Sequence, residues 1–496
     1  MNASVAGKGQ PIRGLPIRNF SLSLFSKLVS LAAHIAFVVV TARLFGKEDV
    51  AAIAVMGIIT ILMDVCKGLG LGTLLLKRLP QMSEAGSEES QTLLSTYLFY
   101  SLLAPAALTL LGLVLPSRLI GSTFGMAGAP AVFHMALLTS LFTVLSNTNI
   151  LVLQASQKFG HLAALTLITA ALQRLIPCLA AVWFGARLEA FLSWSAVASV
   201  LGFTATCVPL ASILRPGRFR LLPWGVFWPD SRHFFCTSLL RYGATQVDQL
   251  VVAILFPPAT LAVYYMLRRL YSLGVVLIGS MIDALVPELA QQAGTDALGA
   301  RGRLTEWSRL SLFAGSAGAA VMAGNGSAVI ELLLGPGYGD DTLLIGLFAG
   351  TTSLYFLYCF VQVDLLLFQA PEKILWMAAA TASANLIAGP LTSRWLGVHS
   401  IPLAMLAGHF LGLVAARWKG GGKGPVRRPV WRIRELGAGL LVVTLASLAP
   451  LAAQRALFNE WERAAAVNIL ICGLVGAHFW RNRVGESLRR LNQRAA

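Results

Sequence analysis

The chain has 496 residues, 56% of them hydrophobic and only 12% charged, with a formal net charge of +17. Ordinary soluble domains carry roughly 25% charged residues, so this composition excludes a water-soluble globular protein. It also excludes a nucleic-acid-binding domain, because the basic residues sit in short segments between apolar runs and form no basic domain of their own.

Apolar runs of 18 to 25 residues recur from Phe20 almost to the C-terminus and predict transmembrane helices. After an N-terminal tail, 1–19, helices are expected over 20–42, 50–71, 93–115, 130–152, 162–184 and 190–214. A linker, 215–233, leads to helices over 234–256, 262–286, 310–334, 343–368, 375–395 and 401–416. A basic linker, 417–436, precedes helices over 437–453 and 464–480, and the chain closes in a tail, 481–496. The fold class is therefore all-α and polytopic, with about fourteen transmembrane helices. The first run has a basic lead-in but is too long for a signal-peptide core and lacks a small-x-small cleavage site, so it is expected to be a permanent span.

Lys and Arg collect in cytoplasmic loops. They gather here at Arg215/Arg218/Arg220/Arg232, at Arg301/Arg303/Arg309, at Arg417/Lys419/Lys423/Arg427/Arg428/Arg432/Arg434 and in the C-terminal tail, which places both termini and the Gly420 to Pro425 loop in the cytoplasm. The six cysteines all fall inside apolar runs without CxxC spacing, so neither a disulfide framework nor a metal site is expected.

The chain also repeats itself. ARLFGKEDVAAIAVM from Ala42 aligns with AILFPPATLAVYYML from Ala253 at an offset of 211 residues, and LQASQK from Leu153 aligns with FQAPEK from Phe368 at 215. Two matches at nearly one offset predict two six-helix lobes, 20–214 and 234–416, related as a parallel repeat about the membrane normal, with a cavity between them. The two last helices, 437–480, are expected to pack outside that cavity. GLGLG, from Gly68 to Gly72, follows no strand and opens no phosphate loop; close helix packing or a helix end is expected there.

ARLFGKEDVAAIAV followed by DVCKGLGLGTLLLKR resembles the first hairpin of the polysaccharide transporters, the O-antigen and exopolysaccharide flippases of the multidrug/oligosaccharidyl-lipid/polysaccharide exporter superfamily. TQVDQLVVAILFPPATLAVYYMLRRL, Pro287, and LLLGPGY from Leu332 to Tyr338 are similar to that family's helices 7 to 9. GKED stands where many relatives carry Gly-Pro-Glu-Asp. The resemblance covers roughly Phe20 to Ala416. It implies a two-lobed flippase of the bacterial inner membrane, taking an isoprenoid-pyrophosphate-linked oligosaccharide and working among membrane lipids beside polysaccharide polymerase and glycosyltransferase machinery, with no cofactor. Lipid II flippases and multidrug exporters of the same superfamily are the nearest alternatives. A polymerase, ligase or scaffold of polysaccharide synthesis is the alternative of another class. The outer loops are short and no Walker motif or HExxH is present, which argues against an enzyme.

Charges inside spans cost ~2.5–3.5 kcal/mol each at a helix centre and need a reason to be there. The basic set is Lys27, Lys67, Arg174, Arg241, Arg268 and Arg269; the acidic set is Asp64, Asp248, Asp283 and Asp364. The surplus of cations predicts that Lys27, Arg174, Arg241 and at least one of Arg268 and Arg269 line a water-filled cavity and meet an anionic headgroup, since guanidinium binds phosphate oxygens bidentately. Lys27 and Arg241, at matching depths in the two lobes, are expected to face each other. Arg241 and Asp248 are seven apart and share a helix face, which predicts a polar stripe. His34, seven after Lys27, is a candidate proton site. Asp64, Asp248 and Asp364 are candidate coupling or polar cavity residues; at the 215 offset Asp364 corresponds to Asn149, so only the second lobe has an acid there. The competing reading is that such charges pair and lock helices together, and it is the expectation for Lys67 and Asp283.

Overall fold

A computed structural model describes residues 15–79, 87–114, 130–156, 158–214, 220–368 and 372–418. The expected helices over 437–453 and 464–480, and the linker beyond Trp418, lie outside the described residues. Within them the protein is all-α, as the composition requires. The first half contains α1 (Leu15–Leu44), α2 (Lys47–Cys66), α3 (Leu71–Arg78), α4 (Glu88–Val114), α5 (Pro130–Ala155), α6 (Phe159–Trp183) and α7 (Leu188–Ala211). The second contains α8 (Trp224–Thr245), α9 (Val247–Leu255), α10 (Pro258–Thr295), α11 (Ala297–Leu334), α12 (Thr342–Phe368), α13 (Glu372–Ser383), α14 (Gly389–Leu396) and α15 (Ser400–Trp418). Helix stands at every expected span from Phe20 to Ala416, and nine helices among the described residues are long and apolar enough to cross a membrane. Leu110, Val114, Val182, Trp183, Val208 and Trp395 are exposed on the outside of the bundle, as side chains facing lipid would be.

The same helix pairings recur in both halves. In the first, α1 packs on α6, α2 and α4 on α5, and α7 on α5 and α6. In the second, α8 packs on α13, α10 and α11 on α12, and α15 on α12 and α13. The halves meet where α1 and α2 pack against α10, and again where the turn before α3 meets α8. One core crosses the first of these junctions, joining Phe37, Phe45, Val50 and Ile53 to Tyr264, Tyr265, Ile330, Leu334 and Tyr338.

Two expected spans are broken, the first at a glycine turn and the second where side chains from elsewhere satisfy the freed carbonyls. The span 50–71 is interrupted by a tight turn, Lys67–Gly70, in which Gly68 and Gly70 have φ of 65° and 82°. A Cβ on Gly70 would lie 2.5 Å from Phe235 N and Ser231 O of α8, so this glycine serves both the left-handed turn and a backbone-to-backbone approach. Gly70→Ala is expected to cost about 2–5 kcal/mol, from the left-handed penalty and the overpacking together. Thermal unfolding in detergent checks this, with Gly46→Ala, which meets nothing within 4 Å, as the neutral control.

The span 234–256 breaks at Gln246, whose φ of −138° ends α8 before α9 begins. A helix end inside a bilayer leaves carbonyls without donors or water. Asn385 donates through Nδ2 to Gly243 O at 3.3 Å and Ala244 O at 2.8 Å, and Arg268 donates through Nη2 to Thr245 O. Asn385 itself lies in a wide π-type turn, Ala384–Ala388, between α13 and α14.

α10 and α11 each run 38 residues. At 1.5 Å per residue each is roughly 57 Å long, well beyond a hydrocarbon core of about 30 Å. The hairpin between them therefore projects from the membrane and carries Arg301, Arg303 and Arg309 with it. Asp296 caps α11, accepting from Gly299 N at 2.8 Å.

Candidate functional site

The in-span charges separate into neutralised pairs and cations that keep free donors. Asp248, at the start of α9, and Arg268, on α10, are buried together, with Arg268 Nε 2.8 Å from Asp248 Oδ2. Tyr264 Oη donates to the same oxygen at 2.8 Å. Asp364 is equally buried on α12, where Arg301 grips it in a fork, Nε to Oδ1 at 2.8 Å and Nη2 to Oδ2 at 3.1 Å. Asp64 accepts from Lys67 at 2.6 Å, one turn along, and from Asn147 at 3.4 Å.

These placements revise several expected roles. Arg268 is not a free cavity cation, because its charge is spent on Asp248 and on the open end of α8. Asp248 and Arg241 do not form a stripe: the break at Gln246 falls between them, so the helical register that put them on one face does not hold. Asp364 is committed to Arg301, a residue assigned from sequence to a loop and held instead on the projecting stretch of α11. That partner was missed because the span was expected to start at 310, nine residues later.

Arg174, Arg269 and His34 form a different kind of group at the junction of the halves. Arg174, on α6, donates through Nη1 to Ser30 Oγ at 2.9 Å and to Ser30 O on α1. Arg269 reaches across from α10 with its guanidinium 4.8 Å from the Tyr265 ring, Nη2 donating to Tyr265 Oη at 2.7 Å. It presses on α2, where a Cβ on Gly57 would lie 3.1 Å from Nη2. Each guanidinium lies within electrostatic range of the other and of the His34 imidazole. Among the described residues no carboxylate pairs with either arginine, and Arg269 Nε and His34 Nε2 are buried without a hydrogen-bond partner. Two cations and an imidazole, held by neutral groups with donors to spare, are chemically suited to a multiply charged anion.

Lys27 stands on α1 three residues before Ser30 and seven before His34, but its side chain lies outside the described residues, as does that of Asp283. Arg241 is exposed and lies in another place, the wall of a cavity of ≈ 460 Å³ bounded by α8, α10, α12 and α13.

Two further cations, missed in the sequence, bind the halves together at the other end of α1. Arg43 donates through Nε to Leu333 O at 2.9 Å and through Nη2 to Leu332 O, where α11 runs out of internal donors. Lys47 Nζ donates to Gly337 O at 3.1 Å and lies 5.6 Å from the Tyr338 ring. Lys47 is the residue that stands for the relatives' proline in GKED, and that departure was the available signal. Removing both cations by Arg43→Ala and Lys47→Ala is expected to open this end by about 1–3 kcal/mol, the worth of a few hydrogen bonds from charged donors. Maleimide labelling of Ile330→Cys, at a position 1% exposed, should then speed up by roughly tenfold or more.

A family model described as "Polysaccharide biosynthesis protein" matches residues 40–339. The chain belongs to this family. The matched stretch holds Arg43, Lys47, Arg174, Arg241, Arg268 and Arg269 alike. No curated protein sequence matches the chain. Among solved structures, the fold is similar to the lipid II flippase MurJ in an inward closed conformation, at 15% identity and a TM-score of 0.62, over 94% of this chain and 99% of that one. It is also similar to an inward-facing multidrug resistance MATE transporter, at 16% identity and a TM-score of 0.54, over 80% of this chain and 97% of that one. The Vibrio cholerae MATE transporter VcmN aligns at 13% identity and a TM-score of 0.56, over 81% and 95%. At such identities the likeness is one of fold: this polysaccharide-biosynthesis protein is a multi-pass membrane protein with an architecture that solved transporters share.

Proposed function

We propose that the protein is a flippase that carries an isoprenoid-pyrophosphate-linked oligosaccharide across the bacterial inner membrane, by alternating access between two lobes, 20–214 and 234–416. The observation that carries this reading is the Arg174–Arg269–His34 group, cationic, half-buried, and built from both halves. A pyrophosphate would supply the missing counter-charge, accept from the spare donors and draw the halves together around itself. The isoprenoid tail stays in lipid while the sugar passes between the lobes. The recurrence of helix pairings supports a parallel repeat, which rocks about the junction where α1 and α2 meet α10.

The termini and the Gly420 to Pro425 loop face the cytoplasm in this reading, from the Lys and Arg bias, and helices over 437–480 stand outside the cavity. The Arg43 and Lys47 contacts then close the periplasmic end. Transport runs from cytoplasm to periplasm, and the membrane potential assists it by ~2.3 kcal/mol per net negative charge moved across 100 mV. Asp248 and Asp364 hold guanidinium groups already, so neither is free to take up a coupling cation. Polymerase and glycosyltransferases are the partners that would consume and supply the substrate. The test follows the sidedness of lipid-linked oligosaccharide in cells lacking the protein. Accumulation in the cytoplasmic leaflet supports the flippase, whereas a normal distribution with polymerisation blocked would favour a non-transporting role.

A further inference from the structure

Arg241 is left over from the site described above; it is exposed, yet it stands in the wall of a largely apolar cavity. It lies on α8 beside Thr237 and Thr245, in a cavity of ≈ 460 Å³. The wall opposite is mostly apolar, with Ile282 and Val286 from α10, Val363 and Leu366 from α12, and Ile374 from α13. Tyr355, Tyr358 and Gln362 supply the polar atoms near the cation. Tyr358 and Tyr355 stack at 6.2 Å and are backed edge-on by the buried His409, at 5.0 and 5.4 Å, so this side of the cavity is rigid. Among the described residues no acid pairs with Arg241.

The height of the cavity is informative. Along α10 its lining begins at Gly279, ten residues beyond Arg269 and roughly 15 Å further toward the α10–α11 hairpin. With that hairpin in the cytoplasm, a lipid entering from the inner leaflet reaches Arg241 before it reaches Arg174 and Arg269. A single guanidinium beside an apolar channel is complementary to a single phosphate on an apolar chain. The volume is within the usual range for small-ligand sites.

We propose that this cavity is a loading site, in which Arg241 holds the phosphate nearest the tail of a single-chain, polyprenyl-type phosphate while the first part of the chain lies along Ile282, Val286 and Leu366. The site rests on the flippase reading but is separate from the central cations. It captures the lipid, and Arg174 and Arg269 drive the transfer.

The test uses the full-length protein in nanodiscs, with polyprenyl monophosphate and phosphatidylglycerol as the two probes, and retention read by native mass spectrometry. Arg241→Gln should weaken retention of polyprenyl phosphate at least about tenfold from the wild-type level, whereas Arg241→Lys should restore most of it. Arg241 donates no side-chain hydrogen bond within the described structure, so an unchanged melting temperature for Arg241→Gln separates lost binding from lost folding. Equal retention by Arg241→Gln and wild type overturns the loading site and leaves the central cluster standing. Retention that depends on Arg241 but is as strong for phosphatidylglycerol overturns the single-chain assignment. Loss of retention in Arg174→Gln/Arg269→Gln alone places capture at the central cluster and overturns the separation of the two sites.

Discussion

Asp248→Ala is expected to destabilise the protein by about 3–5 kcal/mol, the usual consequence of stranding one member of a buried ion pair. The partner left behind is Arg268, whose side chain is 5% exposed and has no other charge beside it among the contacts described. Three structural elements depend on that pair. Tyr264 loses the acceptor for its buried hydroxyl, α9 loses its first-turn acid, and Arg268 loses the anchor that aims it at Thr245 O, where α8 stops. Replacing both partners, as Asp248→Asn with Arg268→Gln, removes the stranded charge and should recover much of the loss. Arg268→Lys should recover little, because one ammonium on a flexible stem cannot hold the carboxylate and the carbonyl together as the guanidinium fork does. Thermal unfolding in detergent, with the amount of protein in the membrane as a second reading, checks all three. An Asp248→Ala protein as stable as the parent would show that the pair is not what holds the α8–α9 break.

Arg174→Gln combined with Arg269→Gln has the opposite signature: transport falls by a hundredfold or more while stability holds or rises. Each arginine offers charge-assisted hydrogen bonds worth about 1.5–3 kcal/mol to a pyrophosphate, so losing both compounds the effect. Neither arginine has a carboxylate partner among the described residues, so their removal strands no charge. It relieves instead the mutual repulsion of two cations in a low-dielectric interior, a strain that functional sites commonly carry at the expense of stability. Arg269→Lys should keep part of the activity, since the charge remains while the planar fork is lost. The measurement pairs polysaccharide export in cells with the melting temperature of the purified variant. Export at the parental level, or a fall in stability matching the fall in export, would return these arginines to a structural role.

Much of this architecture was legible in the sequence, and the rest was hidden for identifiable reasons. The positions of the helices from Phe20 to Ala416 follow from apolar runs, which depend only on local composition. The break at Gln246 does not, because apolar helix continues on either side. What permits it is Asn385 and Arg268, which arrive from 139 and 22 residues downstream and satisfy the freed carbonyls. The in-span charges were recognised as a set, and the Arg174 and Arg269 cluster follows from it. Their division into pairs and free cations was hidden, since pairing depends on which helix faces which. Arg268 and Arg269 are adjacent and end in opposite roles because successive helical positions point about 100° apart. Arg43 and Lys47 escaped notice because they sit at a helix boundary, where basic residues are common and cheap.

The central claim is that this protein moves an anionic lipid-linked saccharide through a cluster built by Arg174 and Arg269. Its most direct measurement is the transfer of a pyrophosphate-linked isoprenoid saccharide between leaflets of proteoliposomes, read by a membrane-impermeant reagent that modifies only the outer sugar. The account predicts fast appearance of outer substrate with the parental protein, acceleration by a membrane potential that drives anions toward that side, and loss of both in Arg174→Gln/Arg269→Gln at equal reconstitution. Equal transfer by the parental and doubly substituted proteins, or none by the parental protein with the substrate present, would contradict it.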